Sequence, residues 1–252
     1  MSTQFLSSLS VALLGSALFT PGSHAITLPA QTTLPVVFTH TVNAAKAKVG
    51  DPVTAKTMQV VLLPDGTKLP KGTLVTGHVV EATGFKFNDT PYATQQPSTL
   101  AIAIDAVAVQ GAASPVVTDV RAMADAISVE QALTPHHTDE TDFLGTVVLV
   151  GGAHYSPIDK RVTAGEDDDI VAYNKNHGVF AHLLPGSSQT GFLCAGTQTE
   201  QSVAIFSPDA CGLYGFKSVS LTENNPNGAF RLTSTHHTVT LYAGSAALLQ
   251  VK

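Results

Sequence analysis

The sequence predicts an all-β protein, a barrel or sandwich with a disulfide-bearing β insertion in its C-terminal half. Three observations carry this. Short stretches rich in Val, Ile, Phe and Thr recur along the chain, clusters of Gly, Pro, Asn and Asp separate them, and two cysteines, Cys194 and Cys211, stand late in the sequence. Many short strands punctuated by turn residues suit a sandwich or barrel.

Residues 5–20 are apolar or small and carry no charge; Pro21-Gly22 breaks them, and Ser23-His24-Ala25 supplies small residues before a cut after Ala25. That is the pattern of a secretory signal peptide over 1–25, with one departure, an n-region without Lys or Arg. The alternative is an uncleaved anchor, for which the stretch is short and Ser-rich. No cysteine stands at the cut, which argues against a lipid-anchored form. The expectation is an exported chain, periplasmic or extracellular, starting at Ile26 and with no membrane span.

Strand-like stretches follow at 34–42, 53–63, 73–82, 100–109 and 116–122. In 73–82, Leu74, Thr76, His78 and Val80 fall on one face and Val75, Gly77 and Val79 on the other, because side chains alternate along a strand. LAIAIDAVAV at 100–109 alternates bulky and small residues, as in a strand against a crowded core. Helix formers concentrate within 121–133. Residues 86–99 and 135–142 are polar and turn-rich, and the second of these divides a barrel-like half, 26–134, from a β-rich half, 135–252. Further strands are expected at 146–150, 170–173, 179–184, 203–206, 217–221, 229–234, 238–242 and 246–251.

Two turns lie close together before 73–82. In Pro64-Asp65-Gly66, proline fixes φ, aspartate bonds its own backbone and glycine accepts φ > 0. Leu69-Pro70-Lys71-Gly72 suits a type I turn. Two turns this close make a corner, the device that folds a sheet into a barrel.

Gly50-Asp51-Pro52-Val53, Leu69-Pro70-Lys71-Gly72-Thr73, Gly77 and Ile104-Asp105-Ala106-Val107 together resemble the β-barrel of the TrbI-like family, periplasmic channel subunits of conjugation and type IV secretion machines. Gly244-Ser245 ahead of an aliphatic run resembles that family's final barrel strand. The likeness covers 34–122 and 239–251 and implies that the last strand closes the barrel beside the first strands. The chain lacks the family's long N-terminal membrane and Pro-rich part, and 123–235 stands where the family has its helical channel insertion. The resemblance therefore implies a barrel-like fold and not a channel. The chain also looks like exported β proteins of Gram-negative bacteria that share "KVGDPV…LPKGT…GH" and "C…ACGLYGF", a likeness that brings no activity with it.

The net charge is −6 with only 13 basic residues and no basic run, which disfavours nucleic acid and anionic lipid surfaces as partners. An even cysteine count in an exported chain points to a Cys194–Cys211 bridge, the alternative being two buried thiols. Ten histidines raise a metal reading. His136 and His137 stand beside Asp139, Glu140 and Asp142; His236 and His237 form a second pair; His154, His177 and His182 lie between. Zinc needs three or four ligands in fixed geometry, and no H-E-x-x-H spacing is present. A solvated polar loop is the competing account of His136 and His137.

The run Glu166-Asp167-Asp168-Asp169 lacks the alternation of an EF-hand and suits a surface turn. No G-x-S-x-G elbow, G-x-G-x-x-G or P-loop occurs, and no cofactor is expected. Tyr214 and Phe216 form either a ligand-facing surface or a disulfide-stapled corner whose aromatics fill the core. The function expected is an exported, non-enzymatic structural or binding module of the cell envelope, its partner an envelope protein or a second copy of the chain. The alternative is a metal-dependent hydrolase using some of His136, His137, His154 and His236 with Asp or Glu partners such as Asp139.

Overall fold

The computed structural model describes residues 27–88, 95–137, 143–188, 191–223 and 228–252. The chain runs through β1 (Thr33–Phe38), β2 (Val42–Asn43), β3 (Pro52–Thr57), β4 (Val61–Leu62), β5 (Lys68–Leu69), β6 (Leu74–Thr83), β7 (Ser98–Val109), β8 (Ala112–Pro115), β9 (Thr118–Ala124) and the short helix α1 (Ala126–Leu133). The insertion follows with β10 (Val147–Val148), β11 (His154–Ser156), β12 (Arg161–Ala164), β13 (Asp169–Lys175), β14 (Gly178–His182), β15 (Gly186–Ser187), β16 (Leu193–Cys194), β17 (Glu200–Ser202) and β18 (Gly212–Tyr214). The chain ends with β19 (Ser220–Glu223), β20 (Ala229–Ser234), β21 (Thr240–Leu241) and β22 (Ala246–Val251).

The fold is all-β, and its main sheet is a nearly closed barrel in the order β18-β9-β22-β1-β3-β6-β7-β20-β19, with β8 also on β7. The pairings are antiparallel except β18 on β9. The final strand β22 lies between β1 and β9, so strands from both ends of the chain share one wall. Alternation explains the interior. From β7, Leu100, Ile102, Ile104, Val107 and Val109 enter the first core, and from β6, Val75 and Val79 do so. Gly77 has a reason of its own: a Cβ there would stand 2.2 Å from the carbonyl oxygen of Ala103, on the paired strand.

The insertion forms a second sheet, β10-β11-β12-β13-β14-β17, antiparallel throughout. It packs with α1 on the outside of β9 and β22 around a second core. Those two strands are therefore covered on both faces. Ala247, Leu249 and Val251 of β22 face the barrel interior, while Ala246 and Leu248 face the second core. A continuous apolar run is what a doubly covered strand requires.

Three expected elements come out differently. The stretch 53–63 divides at 58–60, where Gln59 leaves the barrel to bond the second sheet. Residues 203–206 form a tight turn instead of a strand: Phe206 N–H bonds the Val203 carbonyl at 3.0 Å and Ala204 takes φ 52°. These residues are apolar because the second core surrounds them, and burial of that kind leaves no period to distinguish turn from strand. Within 121–133, residues up to Ala124 extend β9, and the helix begins only after Asp125, whose carboxylate caps it by accepting from Ser128 N–H at 2.8 Å.

The disulfide joins Cys194 to Cys211 and ties β16 to the entry of β18. Beneath it lies the buried Arg121 of β9. Its guanidinium donates to the carbonyls of Leu184, Ala195 and Pro208, three points on the insertion.

Candidate functional site

The site begins with a turn. Gly72 at φ 85° closes the corner after Pro70-Lys71. The corner is then fastened to the end of β3: Gly72 N–H bonds the Thr57 carbonyl at 2.8 Å, Thr57 Oγ1 donates to the Pro70 carbonyl at 2.8 Å, and Thr73 N–H donates to Thr57 Oγ1 at 3.0 Å. Lys71, on this corner, lines a groove on the outside of the barrel, in whose lining Lys56 of β3 and Val37 of β1 also take part. Val37 and Lys56 are direct cross-strand partners.

Helix α1 forms the facing wall. Ala126, Val129, Glu130, Leu133 and Thr134 line the groove, at the spacing i, i+3, i+4, i+7, i+8 that places residues on one helical face. Leu133 remains 59% exposed. The end is formed by Gly178 and Val179 of β14 with Ala204 and Ile205 of the tight turn. The cavity measures about 720 Å³, within the roughly 300–1,000 Å³ range of ligand sites.

Polar groups on its floor are consumed by the fold. Gln59 donates to the Val179 carbonyl and the Ser202 hydroxyl and accepts from Val179 N–H at 2.8 Å, so its amide takes the place of a missing strand neighbour. Thr57 is bonded as above, and Thr134 Oγ1 donates back to the Glu130 carbonyl. What remains is an apolar floor with four charged or titratable side chains in the lining, Lys56, Lys71, His177 and Glu130.

The histidine candidates are placed apart. His136 pairs with Thr146 through two backbone bonds and lines a separate cavity next to Tyr214. His137 is exposed nearby, and Asp139, with Glu140 and Asp142, lies outside the described residues. His236 lines a third cavity with Phe216, and the ring of His237 bonds the Lys217 carbonyl. His154 shares a surface hollow with Asp159 and Asp168. His182 is exposed on β14. Among the described residues no three His, Cys, Asp or Glu side chains come together as a metal would require. The acidic run 166–169 forms the hairpin between β12 and β13, with Asp168 at φ 53°.

Tyr214 and Phe216 pack against the second and first cores respectively, as corner aromatics do. The Tyr214 hydroxyl accepts from Cys211 N–H at 3.0 Å, and burial raises its pKa above the ordinary tyrosine value. Burial lowers that of Arg121, and the nearby Asp209 charge acts in the opposite sense.

The groove residues carried no ligand-binding motif. Lys71 sits in a generic turn, and α1 is too short for its apolar face to stand out from the surrounding strands. The only legible signal was the spacing of Ala126, Val129 and Leu133 beyond a capping Asp125. Compared with known proteins, the chain matches no family model, no curated protein and no solved structure.

Proposed function

We propose that the protein is an exported, non-enzymatic binding module that holds an apolar ligand in the groove between barrel, helix α1 and insertion. One observation carries this reading: a cavity of about 720 Å³ whose floor is apolar and whose polar floor atoms are already paired within the fold. Export is supported by the Cys194–Cys211 bridge, which suits an oxidising compartment, and by the signal-like pattern of 1–25. Among the described residues no helix is long and apolar enough to cross a membrane. The likeness to the TrbI-like barrel belongs to the same proposal. It is supported by the 69–73 corner standing between the adjacent strands β3 and β6 and by β22 lying beside β1, and it carries no channel activity.

The test is binding of the neutral fluorophore N-phenyl-1-naphthylamine. Saturable binding is expected in the wild type. In Ala126→Phe, which places a ring in the groove, affinity is expected to fall about tenfold or more with the melting temperature held. Absence of binding, or equal binding by the variant, would refute the reading.

A further inference from the structure

The groove is asymmetric in charge, and that asymmetry identifies a ligand class. Lys56 and Lys71 enter its lining from the barrel side, at the same end of the β3–β6 ladder, where Lys56 pairs with Leu74 and the 70–73 corner is bonded to Thr57. His177 enters from the insertion, and the single carboxylate, Glu130, stands on α1. Both lysines are exposed, and neither takes part in an ion pair among the described residues, where Lys175 and Lys252 are each paired. In a chain of net charge −6, two unpaired ammonium groups beside an apolar floor form a local reversal of sign. An anion drawn to them would leave the apolar lining, Val37, Met58, Val129 and Ile205, to a chain attached to it.

We propose, resting on the groove reading above, that the ligand is a free single-chain amphiphile with an anionic head, of which a fatty carboxylate is the simplest member. Its head meets Lys56 and Lys71 and its tail covers the apolar floor. The lysines set which end of the ligand goes where, and the floor supplies affinity in proportion to the apolar area it removes from water. Because the head group remains at the rim, its attraction is screened by salt while the tail's contribution is not.

The experiment compares dodecanoate with dodecanol, both below micelle-forming concentration, by calorimetry on the full mature chain, with N-phenyl-1-naphthylamine displacement in parallel. Dodecanoate is expected to bind about tenfold more tightly than dodecanol, the weight of one charged hydrogen bond. Lys56→Gln and Lys71→Gln should each reduce the ratio of dodecanoate to dodecanol affinity, and added salt should reduce it in the wild type. Equal binding of acid and alcohol, or a preference untouched by both lysine variants, would overturn the inference while the groove reading stands. Loss of fluorophore and alcohol binding together would remove the groove reading and this inference with it. Dodecanoate binding that survives Ala126→Phe would place it elsewhere and overturn the proposal. Lysine-dependent sedimentation with phosphatidylglycerol vesicles, without binding of free dodecanoate, would also overturn it, in favour of a membrane surface.

Discussion

The barrel and the insertion are held together by different means. In the barrel, strands of six to twelve residues such as β1, β7 and β22 each contribute alternate bulky side chains to one interior, so cohesion is spread over many positions. In the insertion, β10, β15, β16 and β18 have two or three residues each, and the second core shared with β9, β22 and α1 is supplemented by named points: the Cys194–Cys211 bridge, Arg121 under three carbonyls, Gln59 on Val179, and Thr33 bonded to Gln201 and Ser202. The groove lies where the two regions meet, lined from the barrel by Val37 and Lys56 and from the insertion by Val179 and Ile205.

Equal chemistry applied to both cores tests the comparison hardest. Phe230 of β20 is buried in the barrel, and Phe206 is buried in the turn beneath the second sheet. Truncation of either to alanine removes about 3–5 kcal/mol of local packing. Phe230→Ala is expected to lower the urea midpoint of the whole chain. Phe206→Ala is expected to release amide protection mainly over β10 to β18, with the barrel amides still slow in hydrogen exchange. Uniform loss of protection in both variants would show a single cooperative unit and break the distinction.

The disulfide gives the next largest effect. Its sequence separation is 17 residues, for which the chain-entropy account gives roughly 3 kcal/mol. The double variant Cys194→Ala, Cys211→Ala should lose about that much and loosen β15 to β18 first. A barrel that melts at the same denaturant concentration as those strands would count against point attachment.

The same contrast explains what the sequence disclosed. The alternation in 73–82, the bulky-small pattern of 100–109 and the turn chemistry of Asp65-Gly66 and Pro70-Lys71-Gly72 are local, and each appears in the fold where the residues place it. The cysteine pair was legible because an even count, in a chain that begins with a signal-like pattern, constrains it. Arg121 was not: it sits in an apolar strand, and its three carbonyl partners lie 63 to 87 residues away. The groove is hidden in the sequence for the same reason. Lys56, Lys71, Val129 and Ile205 belong to four elements that only the docking of the insertion brings together. Residue type alone does not fix position: His136 and His236 line different cavities.

The smallest effect concerns Gln59, the contact that fastens the groove's end to the barrel. Gln59→Ala would leave Val179 N–H without its side-chain partner, while the Val179 carbonyl keeps Val203 N–H at 3.1 Å, and a buried group left unpaired costs about 1–3 kcal/mol. Gly178 offers an independent route to the same contact. A Cβ there would come within 2.7 Å of the Gln59 side-chain carbonyl carbon, and Gly178 carries no positive φ, so Gly178→Ala acts through that contact and not through backbone strain. Both variants should free the β14–β17 edge and weaken fluorophore binding, with the barrel's own urea midpoint little changed. The double variant should cost less than the two single losses combined, since one change has already removed what the other disturbs. Strict additivity would mean that Gln59 and Gly178 act separately, and the insertion would then be attached by more than the points named here.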